Sequence, residues 1–282
     1  MSQQTDPDSL QFRLMDQLHG VPGATDLFLF GSRATSTSDL YSDLDLELFT
    51  TDVVSARPVW PRFISRVAPI EVAFPLSGAL LGMKADAAYT LLFRGESCYH
   101  TVDIGLRPSI DEAMFASNIS EALRLWHQEP SNVHPYAIPG EVYIPAPDSA
   151  GYALVEELLC GVRYVKARKR DQVITCWRYM RSRVQHWLQL VSAEQRGWSE
   201  PRRSLTTLDF KALDGQLNRL ERDEFERHLD WATPDKMDYN GHWFTQQIVS
   251  LVLRWAETRY EEVPSGVVAR LLAFMSDELG LA

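Results

Sequence analysis

Asp43, Asp45 and Glu47 stand two residues apart in the run Asp43-Leu44-Asp45-Leu46-Glu47-Leu48, each parted from the next by a leucine. If the run is extended, side chains alternate between faces, so the leucines enter a core and the three acids share the opposite face. Two carboxylates about 4 Å apart at an effective dielectric near 20 repel by roughly 4 kcal/mol. That is large against the roughly 5 to 15 kcal/mol that holds a domain together, so something should neutralise them. A hard divalent cation such as Mg2+ does so, taking carboxylate oxygens and completing its octahedron with substrate phosphate oxygens. Phosphoryl and nucleotidyl transfer use two such ions, about 3.5 to 4 Å apart, on the attacking and leaving oxygens.

Upstream lies Phe30-Gly31-Ser32-Arg33, with ten residues from Arg33 to Ser42 before the first acid. A glycine at the end of a buried strand lets backbone N–H groups and a small hydroxyl come close to phosphates, and Arg33 adds a charge-assisted contact. Alone, Asp-x-Asp on a strand most often marks a solvated face. The glycine-serine pair at this distance turns the reading toward phosphate chemistry.

The combination of Gly31-Ser32 with hydrophobic-Asp-hydrophobic-Asp-hydrophobic about ten residues later resembles the signature of the polymerase-beta-like nucleotidyltransferases. Members of that superfamily take a third carboxylate from a later strand, and Val102-Asp103-Ile104 matches. The segment from Tyr89 to Leu106 looks like the corresponding hairpin of the antibiotic nucleotidyltransferases that act on aminoglycosides or lincosamides. Tyr41-Ser42-Asp43-Leu44 and a helical second half are similar to the lincosamide type. Recognisable motif covers about residues 28–49 and 89–106.

The resemblance implies Asp43, Asp45 and Asp103 as catalytic and metal-binding residues, with two Mg2+ ions. It places Gly31, Ser32 and Arg33 on the nucleotide, and Lys166 first and Arg163 second on the donor triphosphate. The reaction it implies is transfer of AMP from ATP, or of another nucleotide from its triphosphate, to a hydroxyl of a small acceptor of lincosamide or aminoglycoside type. Pyrophosphate is released, and a homodimer is implied. Two rivals share the motif: a protein-modifying enzyme of toxin-antitoxin type, and a nucleotide-binding relative that has lost the reaction.

The base that deprotonates the acceptor stays open between Asp103, Glu96, Glu156 and Glu157, each a carboxylate that the chain could bring near the ions. Glu47 reads as solvent-facing or paired with a basic residue rather than as a ligand. Tyr99, His100, Trp177, Tyr179, His186 and Trp187 fit a core better than a ligand pocket. His134 and His242 carry no ligand spacing.

These residues need elements to position them. Asp8 and Ser9 can cap a helix whose Leu10, Phe12, Leu14, Met15 and Leu18 approximate one apolar face, ended by Gly20 and Pro22-Gly23. Strands are predicted at Leu27 to Phe30, Asp43 to Phe49, Ile70 to Phe74, Ala88 to Phe93 and Thr101 to Leu106, the last two joined by the turn 94–97. Helices are predicted around Arg57 to Val67 and over Ile110 to His127. Pro135, Pro139-Gly140, Pro145 and Pro147 then mark a connector. Helical spacing dominates beyond it, at roughly 151–195, 209–231, 240–261 and 265–279. The expected fold is α+β: a nucleotidyltransferase domain with a mixed sheet flanked by helices over 1–135, then an all-helical domain over 136–282 for substrate binding and dimer contacts, with the site in the cleft between them.

Composition narrows the partners. A net charge of −10 over 282 residues argues against a duplex nucleic-acid surface, which needs clustered Lys and Arg across a face. Three scattered cysteines give neither a zinc site nor a disulfide framework. The polar start and the lack of any long apolar run point to a cytoplasmic chain without membrane attachment.

Overall fold

The computed structural model of the chain describes residues 7–76, 79–80, 83–84, 87–118, 121–130, 142–201, 212–213 and 219–281. His134, Pro135, Pro139-Gly140 and, of the stretch predicted helical over 209–231, residues 209–211 and 214–218 lie outside them. The chain divides into two compact units, Met1–Ile144 and Pro145–Ala282.

The first unit is built on a six-stranded mixed sheet. In chain order its elements are α1 (Pro7–Leu18), β1 (Ala24–Phe30), α2 (Gly31–Ala34), β2 (Leu44–Thr50), α3 (Val53–Ala56), α4 (Trp60–Ile64) and β3 (Ile70–Pro75). There follow a small separate pair, β4 (Ala79–Leu80) with β5 (Met83–Lys84), then β6 (Ala87–Phe93), β7 (Val102–Pro108), α5 (Glu112–Asn118) and β8 (Leu123–His127). The sheet order is β3-β6-β7-β2-β1-β8. Among the strands of this sheet β2 and β7 run parallel and the other described neighbours are antiparallel.

The two faces of the sheet differ in kind. Leu44, Leu46 and Leu48 of β2 join Leu27 and Leu29 of β1 and Val102, Ile104 and Leu106 of β7 in one apolar layer, closed by Leu10, Leu14 and Leu18 of α1 and by Trp60, Phe63 and Ile64. Burying side chains of this size contributes about 1.5 to 3 kcal/mol each, which fixes the register of β2 because a one-residue slip would expose every leucine. On the other face Phe28, Phe49 and Phe115 form a small aromatic cluster, with α5 supplying Phe115.

The predicted helix over Ile110 to His127 is corrected. Among its described residues α-helix spans Glu112–Asn118, and Leu123–His127 is a strand paired antiparallel with β1. The free edge of β1 supplies backbone partners to this segment, and Leu125 and Trp126 pack on the core, so tertiary pairing overrides a helix-compatible local pattern. The stretch around Arg57 to Val67 holds only the single turn of α4.

The second unit is helical, with α6 (Ala150–Lys169), α7 (Val173–Gln195), α8 (Arg219–Arg227), α9 (Pro234–Arg259) and α10 (Ser265–Leu279). The segment predicted as one helix over 151–195 is broken at Asp171, which adopts a left-handed conformation (φ 53°). Ser149 caps α6 by accepting from the Tyr152 N–H, and Thr233 caps α9 in the same way ahead of Pro234. Two buried polar nodes tie the helices together. Asp238 accepts from Tyr164 Oη (2.6 Å) and from Nε and Nη2 of Arg168 (2.7 and 3.0 Å). Glu157 meets Arg183 (3.3 Å), His186 (3.2 Å) and Thr245 (2.9 Å). No helix among the described residues is long and apolar enough to cross a membrane.

Candidate active site

The acids of β2 and β7 come together through strand register. Asp45 lies directly opposite Asp103 in the parallel pair, and Asp103 is in turn opposite Thr90 of β6, while Phe30 flanks Asp45 from β1. Directly paired residues project from the same face, so Asp45 and Asp103 share one. It is the face opposite the leucine layer.

At the end of β1 the chain turns at Gly31, where φ is +70°. A Cβ at this position would stand 2.4 Å from Asp45 Oδ2. Glycine is therefore required twice, for the left-handed backbone and for the space in which the Asp45 carboxylate sits. Ser32 and Arg33 follow in the short turn of α2. Arg33 donates from Nε to the Asp43 carbonyl (3.1 Å) and from Nη2 to the Ser42 carbonyl (3.4 Å), so it fastens the loop that delivers Asp43. The same loop is closed by Asp39, which accepts from the Ser42 hydroxyl (2.9 Å) and the Tyr41 N–H (3.0 Å). Asp43 itself accepts from the Thr101 hydroxyl at 2.5 Å. One oxygen of Asp43 is thereby oriented by the residue just ahead of β7, the strand that carries Asp103.

Glu47, next along the face, has the basic partner foreseen as one of its two readings. Arg107 donates from Nε to Oε2 (3.0 Å) and from Nη2 to Oε1 (3.2 Å), and Glu47 and Arg107 are 5% and 1% exposed. Burial pushes the Glu47 carboxyl above the usual carboxylate range, and the Arg107 guanidinium pulls against that. Glu47 lies across the gap at Gly105, where a Cβ would be 2.2 Å from Oε2. Thr101, Gly105 and Arg107 were missed in the sequence. The signal was there: Thr101, Asp103, Gly105 and Arg107 stand two residues apart from just ahead of β7 into it, as Asp43, Asp45 and Glu47 do at β2.

The other predicted residues fall in different settings. Glu96 is held by Arg13 at 3.0 Å. In the helical unit, Lys166 is buried and Arg163 half-buried on α6. Their neighbours Arg168 and Lys169 pair with Asp238 (2.7 Å) and Glu278 (2.9 Å). A pocket of about 330 Å3 on this unit is lined by Glu156, Glu157 and Cys160 of α6 and by Ser182, Gln185 and His186 of α7. Burial pushes the Cys160 thiol up to about 11, so it is protonated at neutral pH. Tyr99 and Trp187 are core residues, whereas Trp177 is 46% exposed.

The donor set of the first unit suits a hard cation, being all carboxylate oxygen. Among the described residues no group of three or more His, Cys, Asp or Glu side chains is gathered closely enough to hold an ion by itself.

No family model and no curated protein sequence matches the chain. Among solved structures, the chain is similar to an aminoglycoside 6-adenyltransferase from Bacillus subtilis at 13% identity and a TM-score of 0.32, over 94% of this chain and 97% of that one.

Proposed function

We propose that the first unit is the catalytic part of a nucleotidyltransferase that moves a nucleoside monophosphate from its triphosphate to a hydroxyl of a small acceptor. The observation that carries this reading is the direct opposition of Asp45 and Asp103 on one sheet face, beside a glycine turn that leaves the Asp45 carboxylate its space. The donor is ATP and the acceptor of lincosamide or aminoglycoside type by the motif resemblance.

In the reaction, the acceptor oxygen bonds to the α-phosphorus, the bond from that phosphorus to the bridging oxygen breaks, and pyrophosphate leaves with the electron pair. Mg2+ held with the triphosphate at Asp43, Asp45 and Asp103 would neutralise charge on the transferring group. The chain's own part is positioning: Thr101 orients Asp43, Arg33 holds the loop behind it, and Gly31 keeps Asp45 in place. The hydroxyl proton passes to a carboxylate. The candidates are Asp103, Glu96, Glu156 and Glu157.

The test is pyrophosphate release with ATP, GTP, CTP and UTP against a panel of lincosamides and aminoglycosides. Asp45→Asn should lower turnover by about 100- to 1,000-fold, as loss of a group that stabilises the transition state does, with the far-UV dichroism unchanged. Near-normal turnover by the folded variant would reject the assignment.

A further inference from the structure

We propose that Thr90 is a positioning residue whose hydroxyl is held for Asp103 and fixes the Asp103 carboxylate when substrate binds, at a cost to the stability of the free protein. The inference rests on the nucleotidyltransferase reading above and adds a residue to its site.

A buried hydroxyl is nearly always hydrogen-bonded, because one left unmade keeps the full cost of being stripped of water. The other buried threonines among the described residues follow this rule. Thr25 meets the Ser109 hydroxyl (2.8 Å), and Thr50 donates to the Pro22 carbonyl (2.8 Å). Thr101 donates to the Asp43 carboxylate (2.5 Å) and Thr245 to that of Glu157 (2.9 Å). Thr90 departs from it. It is 1% exposed, and among the described residues its hydroxyl has no hydrogen-bond partner.

Strand register narrows the acceptors open to it. Thr90 of β6 lies directly between Phe74 of β3 and Asp103 of β7. The phenylalanine ring offers no oxygen, whereas Asp103 carries a carboxylate. Directly opposed residues of an antiparallel pair hold their Cβ atoms about 4.5 to 5.5 Å apart on one face, so rotation about the Cα–Cβ bonds of Thr90 and Asp103 brings hydroxyl and carboxylate together. Asp103 is in turn opposite Asp45, which sets Thr90, Asp103 and Asp45 in one row across three strands. In the same site the Thr101 hydroxyl already orients Asp43. Hydrogen bonds of catalytic groups are often open in the free protein and close in the complex with substrate. A bond made only then adds to turnover and not to the stability of the free protein. Valine has the same shape as threonine and would spare the cost of burying the hydroxyl, so stability alone does not account for threonine here.

The test uses the full-length protein, melted thermally without substrate and assayed for pyrophosphate release with ATP and the best acceptor of the panel. Thr90→Val should raise the melting temperature by about 2 to 8 °C and lower kcat by about 10- to 100-fold, the rate cost of one hydrogen bond to a charged group, with KM little changed. Thr90→Ser keeps the hydroxyl and should turn over like the wild type. A threonine that serves only the sheet would move stability and turnover in the same direction, and serine would not rescue the rate. Three results overturn the proposal: Thr90→Val melts below the wild type or fails to fold, which gives the hydroxyl a structural role; Thr90→Val keeps its kcat; or Thr90→Ser is as slow as Thr90→Val. A wild type that releases no pyrophosphate with any acceptor is a different outcome, and it sinks the nucleotidyltransferase reading and this inference together.

Discussion

Replacing Gly31 by alanine separates the two demands placed on this residue. Its φ of +70° is left-handed, where a side chain costs about 1 to 2 kcal/mol. That alone would lower the melting temperature by roughly 2 to 8 °C for a unit of this size. The added Cβ would also stand 2.4 Å from Asp45 Oδ2, so one of the two must move. Contact between a methyl carbon and an oxygen relaxes only beyond about 3.2 Å, so the carboxylate shifts by most of an ångström, and a misplacement of about 1 Å at a reacting centre costs about 100-fold in rate. Gly31→Ala should therefore keep its fold, melt a few degrees lower and lose about 100-fold in pyrophosphate release with the best acceptor of the panel. Gly95→Ala is the control: φ is +83° there and nothing lies within 4 Å of the added carbon. It should show the same loss of stability with turnover intact. If Gly31→Ala turns over as fast as Gly95→Ala, the carboxylate is not where the chemistry happens.

Two predictions concern the helical unit. Asp238→Ala removes the partner of Tyr164 and Arg168 from a buried position, and urea unfolding should show a loss of about 2 to 4 kcal/mol, tempered because Arg168 reaches partly to solvent. Burial, and then the nearby Arg183, hold the His242 imidazole below its ordinary range, so it stays neutral when folded while the unfolded chain takes up a proton. Stability from this residue is complete above the unfolded value near 6.5 and is lost as pH falls below it; His242→Gln should flatten that part of the pH profile in thermal melts, and an unchanged profile would dismiss His242 as its source.

The sequence alone was enough for features set by local geometry. Alternation along 43–48 separated Leu44, Leu46 and Leu48 from Asp43, Asp45 and Glu47, and the structure buries those leucines in one layer. The mixed sheet followed by helices was legible for the same reason, since strand and helix periods differ. Tertiary structure decided what depends on residues far apart in the chain. Which strand lies beside β2, and in which register, sets Asp103 against Asp45 and gives Glu47 its partner 60 residues away. Backbone pairing with β1 made 123–127 a strand, although its local pattern suited a helix. The physical reason is range: side-chain alternation acts over two residues, whereas a sheet edge satisfies any compatible segment that the folded chain brings to it.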